Sequence, residues 1–294
     1  MHIKPIFMTS MVLSAMALSS FTHAKQSKPY SPLSVSVSRI ATGTAAVGEQ
    51  GNELQRDQWM FDVKTGMRLN KQWSIGAKLG YDNLDYDWSS TSISGQQTWD
   101  KIERYRASLS LSYRPDQHWM FMLAPKLQYA ASDNASLSNA QSYGAFLSAM
   151  YRFSSGNMIG FGVGYLNDID EVRTVPFIAV NWQITEQLKL GNPFSAGFSG
   201  PAGLELSYTL NPDWDFGVGT SKRTNRFLIA NDEETAEIDE WVSFARVGWK
   251  INSSFSVNGY AGYFFNGELE LNPQNSKEDI ENQGALALDF TYKF

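Results

Sequence analysis

RYRASLSLSYRPDQHWMF, residues 104–121, alternates with period two on both sides of one short polar turn. Tyr105, Ala107, Leu109, Leu111 and Tyr113 make one face and Arg104, Arg106, Ser108, Ser110 and Ser112 the other. After Arg114-Pro115-Asp116-Gln117 the apolar face resumes as Trp119, Phe121 and Leu123. Successive side chains of a strand point to opposite sides, so this stretch is a hairpin with one apolar and one polar face. Tyr and Trp bracket its aliphatic middle, and their amphipathic rings favour the headgroup level of a membrane.

The same unit recurs in both directions. Upstream, Trp59 to Leu69 turns at Asn70-Lys71-Gln72 into Trp73 to Tyr81; downstream, Tyr143–Phe153, Ile178–Ile184, Leu204–Leu210 and Ala245–Ile251 each lead through a tight turn into the next alternating run. Longer polar connections at 87–98, 131–141, 230–237 and 271–281 separate these hairpins. Short turns at one end and long loops at the other are the outer-membrane arrangement, with the aromatics beside the short turns as the periplasmic girdle. A soluble sandwich would also alternate, but its outer face carries more Lys and Glu than the Ser, Gly and Ala seen here, and no fixed repeat supports a solenoid. The expected fold is all-β: a transmembrane antiparallel up-and-down β-barrel of about 14 strands if 33–40 opens it, with 12 as the alternative. The doubt lies in GNPFSAGFSGPAG (191–203), whose prolines and glycines disfavour a regular ladder and suit a segment that folds inward or caps an opening.

Composition agrees with export. Residues 1–24 read as a signal peptide, with Lys4, an apolar stretch to about Leu18 and a small-residue site at Thr22-His23-Ala24, leaving 25–294 as the barrel. The apolar stretch is too short for a spanning helix. Setting Lys4 aside takes the net charge from −6 to −7, with no basic stripe, which argues against nucleic acid. The chain has no cysteine, so an exported fold of this length must rest on a core or a closed sheet.

RYRASLSLSYRPDQHWMF, GFGVGYLNDIDEVRTVPF (160–177), GNPFSAGFSGPAGLELSY (191–208) and EIDEWVSFARVGWK (237–250) together resemble a family of uncharacterised proteobacterial outer-membrane proteins classed as a domain of unknown function. The resemblance covers most of 57–294 and implies a barrel in the outer membrane, with no activity and no functional residues to carry over. The closing LALDFTYKF (286–294) resembles the C-terminal signal read by the barrel-assembly machinery, with Phe294, Tyr292, Phe290 and Leu288 on one face.

Little in the chain points to catalysis. His118, the one histidine of the mature chain, follows a tight turn and belongs at the periplasmic rim, and no zinc spacing is present, so neither a cofactor nor a metal is expected. Asp168, Asp170, Glu171 and Arg173 meet at a short external connection, where pairing that fixes the loop is the simpler reading than acid–base work. Asp232, Glu233 and Glu234, with nearby Glu237, Asp239 and Glu240, read as a solvated external loop; Ser221–Arg226 reads as a small basic cluster at the top of its strand. Alternation sends Asp62, Lys64, Arg68, Lys78, Asp82, Arg104, Arg106, Lys126, Arg152, Glu205, Asp215, Arg246 and Lys250 to the lumen, among small residues and a few large ones such as Met120, Phe146, Phe177 and Phe264. A narrow or gated pore for small solutes is therefore expected, its preference set by lumen charge. The rivals are a structural or adhesive barrel presenting loops 41–56, 87–98 and 230–237, and, third, an enzyme acting on lipid or peptide. Expected partners are outer-membrane lipid and lipopolysaccharide, the assembly machinery and small solutes.

Overall fold

The computed structural model describes residues 33–169, 171–192, 202–230 and 233–294, which form one closed antiparallel barrel of fourteen strands. They are β1 (Leu33–Thr42), β2 (Asn52–Arg68), β3 (Trp73–Trp88), β4 (Lys101–Tyr113), β5 (Trp119–Ser132), β6 (Gln141–Arg152), β7 (Met158–Asp168), β8 (Glu171–Gln183), β9 (Leu188–Gly191), β10 (Ala202–Thr209), β11 (Trp214–Ala230), β12 (Glu234–Lys250), β13 (Phe255–Asn272) and β14 (Gln283–Lys293). Closure is by β1, which pairs with β14 on one side and β2 on the other; Val37 faces Phe290 and Phe61 at the seam. The expected signal peptide, most of the Gly/Pro stretch, Asp170 and Asp232 lie outside the described residues.

Five of the tight turns share one local solution, while the Phe153–Asn157 turn closes on backbone hydrogen bonds. Asn70, Asp116, Asn211 and Asn252 each accept, on one side-chain oxygen, the N–H groups two and three residues on, and Thr185 does the same with its hydroxyl. A short polar side chain that mimics a backbone turn reverses the chain in three or four residues. The residue that makes the second of these bonds is Trp73, Trp119, Trp214, Phe255 or Leu188, so every such turn ends on an outward apolar anchor. Trp73 stacks on Tyr113 at 4.4 Å and Trp214 on Trp249 at 5.3 Å, and Tyr151 meets Trp119 and Phe153, giving a belt at the short-turn end. A second belt lies toward the loops, where Trp59, Phe61, Tyr81 and Tyr105 form a continuous run of ring contacts. Between the belts Leu79, Leu109, Phe161, Val218 and Leu286 stay exposed, as a lipid-facing surface requires.

The loop end departs from the simple cylinder. β6 to β8 run 11 to 13 residues, whereas β2, β3 and β11 to β13 run 16 to 18. Above the short wall, β5 and β11 approach each other directly, with a single parallel pairing of Ala131 with Leu228 and a bond from the Ser132 hydroxyl to the Ile229 carbonyl oxygen. The barrel thus narrows toward its loop end.

Two expectations are corrected there. Stretches 41–56, 87–98, 230–237 and 271–281 are not simple polar loops. Asn52 onward is β2, Glu234 onward is β12, Ala45–Val47 and Ser276–Ile280 add short strands to the sheet, and Ser92–Ile93 pairs with Gln96–Gln97. Apolar residues in these stretches, absorbed by the narrowed end, drive this. Ala45, Val47, Leu54, Ile93, Ile280 and Trp99 join Leu84, Tyr86, Ile102, Phe227, Ile229 and Leu269 in one buried cluster that fills the loop end of the barrel. Second, Glu237 and Glu240 are not solvated. β12 continues through both, and their opposite faces are each covered: Glu240 is buried against Arg56, and Glu237 is buried against Arg173 and Arg226.

Candidate functional site: the lumen

Strand parity places the expected lumen residues, Asp62, Lys64, Arg68, Lys78, Asp82, Arg104, Arg106, Lys126, Arg152, Glu205, Asp215, Arg246 and Lys250, on the inward face. What they do there divides by height. Near the short-turn end, Arg246 on β12 gathers Glu205 of β10 and Asp215 of β11, its Nη2 2.7 Å from Glu205. Arg68 folds back on its own turn and donates to the Asn70 and Lys71 carbonyl oxygens. Arg152 is exposed, and neither it nor Lys64, Lys189, Lys250 or Lys293 forms an ion pair with a described residue. Gly162 stands on this inward face because a Cβ there would meet the Phe177 ring at 2.1 Å, and the ring needs that space.

At mid-height β2, β3 and β4 carry an interlocked set. Asp62 takes Lys78 and Arg106, both at 3.2 Å, and fully buried Asp82 takes Arg104 at 2.6 Å together with Arg106. Arg104 then crosses the lumen, donating to the Asn225 oxygen of β11 at 2.7 Å. One step higher, Arg56 of β2 makes a two-pronged pair with Glu240 of β12, at 2.9 and 2.8 Å, with both side chains 2% exposed. Paired forks of this kind hold a planar guanidinium in one orientation. Arg56 and Arg223 also lie over the Phe264 ring, at 5.0 and 5.7 Å. Above this ionic layer comes the apolar cluster as a cap, so the described lumen is polar at the short-turn end and apolar at the loop end.

The external-connection residues assemble where the short wall meets the narrowed barrel. Arg173 donates to Asp168 at 3.1 Å and pairs with Glu237, while Arg226 binds Glu171 and Glu237. Lys126 reaches only within 4.0 Å of Asp168. Pairing that fixes the connection is thus what the described members of the group do. Arg226 and Glu237, missed as members, come from strands far away in sequence, and no local pattern signals them. Glu233 is exposed and Glu234 accepts from Gln96 at 2.8 Å. The basic stretch 221–226 splits by parity: Lys222 pairs outside with Asp239 at 3.2 Å, and Arg223 points inward. His118 stacks on Tyr151 at 5.6 Å with Nδ1 3.1 Å from the Arg152 carbonyl oxygen, a wall position. On the outer surface, Asp57, Asp85, Asp87 and Asp100 line a cavity of about 340 Å³, yet among the described residues no group of three or more acidic or histidine side chains has metal-holding geometry.

Across the described strands, inward Lys and Arg outnumber inward Asp and Glu, although the whole chain carries −6. Asp62, Asp82, Asp168, Glu171, Glu205, Asp215 and Glu240 are each held by a cation, and Asp289 accepts from Ser38 and Asn258. The uncompensated charge of the described lumen is therefore positive.

A closed fourteen-strand barrel with two aromatic belts and a charged interior is the build of an outer-membrane channel protein. The chain belongs to the family described as "Putative beta-barrel porin-2, OmpL-like", whose family model matches residues 53–235. Among solved structures it is similar to an outer-membrane channel from Pseudomonas putida F1, at 9% identity and TM-score 0.53, covering 92% of this chain and 100% of that one. It is also similar to a Pseudomonas aeruginosa FadL homologue (12% identity, TM-score 0.44, 89% of each chain) and to the P. putida toluene transporter TodX (11%, 0.43, 90% and 91%). No curated protein matches the chain.

Proposed function

We propose that the protein is a gated pore for small anionic solutes, held closed by its apolar cap. The observation that carries the reading is the unpaired positive charge of the lumen: Lys64, Arg152, Lys189, Lys250 and Lys293 face the short-turn mouth, and no carboxylate of a described residue neutralises them. A charged ring at a pore mouth raises the local concentration of the opposite ion and sets selectivity. The cap supplies the gate, because an apolar constriction excludes water and with it hydrated ions. Ile93 and Trp99 come from the 89–100 connection rather than from the barrel wall, so they are the part of the cap that can leave without opening the sheet. Outside, the pairs Arg39–Asp57 and Lys101–Glu103 lie just beyond the upper aromatic belt, where lipopolysaccharide headgroups would meet them.

Single-channel recording in planar bilayers tests this. Wild type should give rare or small conductance steps, and the pair Ile93→Ser with Trp99→Ala should give frequent larger ones. In a salt gradient the reversal potential should show preference for chloride over potassium. A cap variant that folds but stays silent, or prefers cations, refutes the proposal.

A further inference from the structure

We infer that the short-turn half of the lumen carries, on its β5–β8 wall, a binding site for an amphiphilic monocarboxylate. The carboxylate of such a solute meets Arg152, and its aryl or alkyl body lies on Met120, Met150, Met158 and Phe177. The inference deepens the pore reading by naming its solute class; it rests on that reading for passage, not for binding.

Parity turns Met120, Met122, Phe146, Met150, Met158 and Phe177 inward on four adjacent strands. Across the lumen from this wall stand ionic or hydrogen-bonding side chains such as Arg246, Asn258 and Asp289. Met150, Met158 and Ala179 pack as one cluster with Met120 and Phe177 against it, and Phe177 meets Phe146 edge to face at 6.0 Å. Both rings lie over β7, the strand between them, because its inward Gly162 and Gly164 have no Cβ to hold them off. The rings therefore line the wall instead of filling the lumen. Met120, Met122, Phe146 and Phe177 stay half-buried and Val175, inward beside Gly164, is 37% exposed, so this wall keeps accessible apolar surface. The inward cluster that contains Phe244 and Tyr260, at 5% and 4%, keeps almost none. A contiguous apolar surface inside a polar conduit suits a ligand body, and thioethers adapt to bodies of different shape.

Cations border this surface at its short-turn edge. Arg152 Nη2 lies 3.7 Å from the Met158 sulfur, and Arg114 Nε lies 3.4 Å from the Met120 sulfur. Both guanidiniums belong to exposed residues, and neither forms an ion pair with a described residue. Met120 and Met150 are direct partners in the β5–β6 register, so the two arginine contacts fall on one patch. Lys126, 5.9 Å from the Phe146 ring, borders the upper edge. Arg152 and Met150 are successive inward residues of β6, about 7 Å apart along the strand, which matches the span from carboxylate to ring in a phenylalkanoate. The guanidinium fork takes two carboxylate oxygens while the thioethers and rings take the body. An inorganic anion uses only the first contact and a neutral hydrocarbon only the second, so the site favours solutes that carry both.

The test is equilibrium dialysis of radiolabelled 4-phenylbutyrate against the refolded barrel in detergent, with protein-free micelles as background. Unlabelled 4-phenylbutyrate should displace the probe, and acetate and 4-phenylbutanol should do so at least tenfold less effectively. Arg152→Gln and Phe177→Ala, each first shown to migrate as a folded barrel, should bind at least fivefold more weakly. Lys222→Gln, which removes a cation from the outer face, should bind within twofold of wild type. If Phe177→Ala does not fold, Met120→Gln, which keeps the length and adds polarity, takes its place with the same expected loss. Absence of saturable binding overturns the inference, as does acetate or 4-phenylbutanol competing as well as the probe, or Lys222→Gln losing as much as Arg152→Gln. Dialysis reads binding without conduction. A barrel that binds the probe but never conducts, even with its cap residues replaced, removes the pore reading and leaves this site; one that conducts chloride but binds no phenylbutyrate does the reverse.

Discussion

Replacing Glu240 by Gln should be among the most damaging single changes in this barrel. The carboxylate holds both prongs of Arg56, and each partner is 2% exposed. The amide would keep the shape and one acceptor but leave a guanidinium buried without a counter-charge, which costs about 3–5 kcal/mol. Replacing both partners with apolar residues of similar volume, Arg56→Met with Glu240→Leu, should by contrast fall within about 1 kcal/mol of wild type or exceed it, because desolvation of the pair consumes most of its attraction. Asp57→Asn, which breaks the exposed Arg39 pair on the outer face, should cost far less than Glu240→Gln, since solvent screens that contact. Urea unfolding from lipid vesicles, followed by tryptophan fluorescence and by mobility of unboiled samples on gels, reads all four proteins on one scale. Should Glu240→Gln cost no more than Asp57→Asn, water reaches Arg56, and the sealed ionic layer beneath the cap is refuted.

Changing Lys64, Lys250 and Lys293 together to Gln removes three mouth charges; at roughly 10 Å and 0.1 M salt each is worth about 0.15 kcal/mol to a passing ion, so the anion-to-cation permeability ratio of the cap-opened pore should fall about fivefold, read from the reversal potential. Deleting Phe294, whose N–H bonds the Leu33 carbonyl oxygen at the seam, should lower the amount of assembled barrel more than Phe216→Leu, as measured by surface labelling; equal levels would show that the terminal residue only packs. Gly162→Val drives a side chain into the Phe177 ring and should destabilise by about 1–3 kcal/mol in the same unfolding assay. The Trp119 and His118 N–H groups hold the Asp116 carboxyl below the usual carboxylate range. Its contribution is therefore complete above the unfolded value near about 3.9 and is lost as pH falls through the lowered one, so the advantage of wild type over Asp116→Asn in thermal melts should be constant from about pH 7 to 5 and shrink below about 4.

The wall was legible because its rules are local. Alternation fixes parity, and parity alone puts Arg104 inside and Tyr105 outside. The Asx-type turns announce themselves as Asn70, Asp116, Asn211 and Asn252 ahead of an aromatic or aliphatic run. The loop end was not legible, since its order depends on pairs far apart in the chain. Ile93 and Trp99 stand among Ser, Thr and Gln in a stretch that scans as solvent-exposed, and only the approach of β5 to β11 creates the interior that buries them. The same applies to Glu240: its neighbours Glu237 and Asp239 make the segment look like an acidic loop, while the partner that explains it, Arg56, is 184 residues away.

Cap and ionic layer act on each other with opposite sign. Burying Ile93 and Trp99 contributes about 1.5–3 kcal/mol for each side chain toward the closed state. Beneath them Arg56, Glu240, Arg223 and Asp82 lose hydration on closure, at several kcal/mol per buried ion before pairing. Pairing offsets most of that loss for Arg56 and Asp82, but no described carboxylate does so for Arg223. Opening therefore loses apolar burial and regains hydration of an ion layer that is one carboxylate short, so the two states lie closer in free energy than the apolar contacts alone imply. Arg223→Gln, which removes the cation that gains most from rehydration, should therefore open less often than wild type in single-channel records; equal opening frequency in both would break the link between the ion layer and the cap.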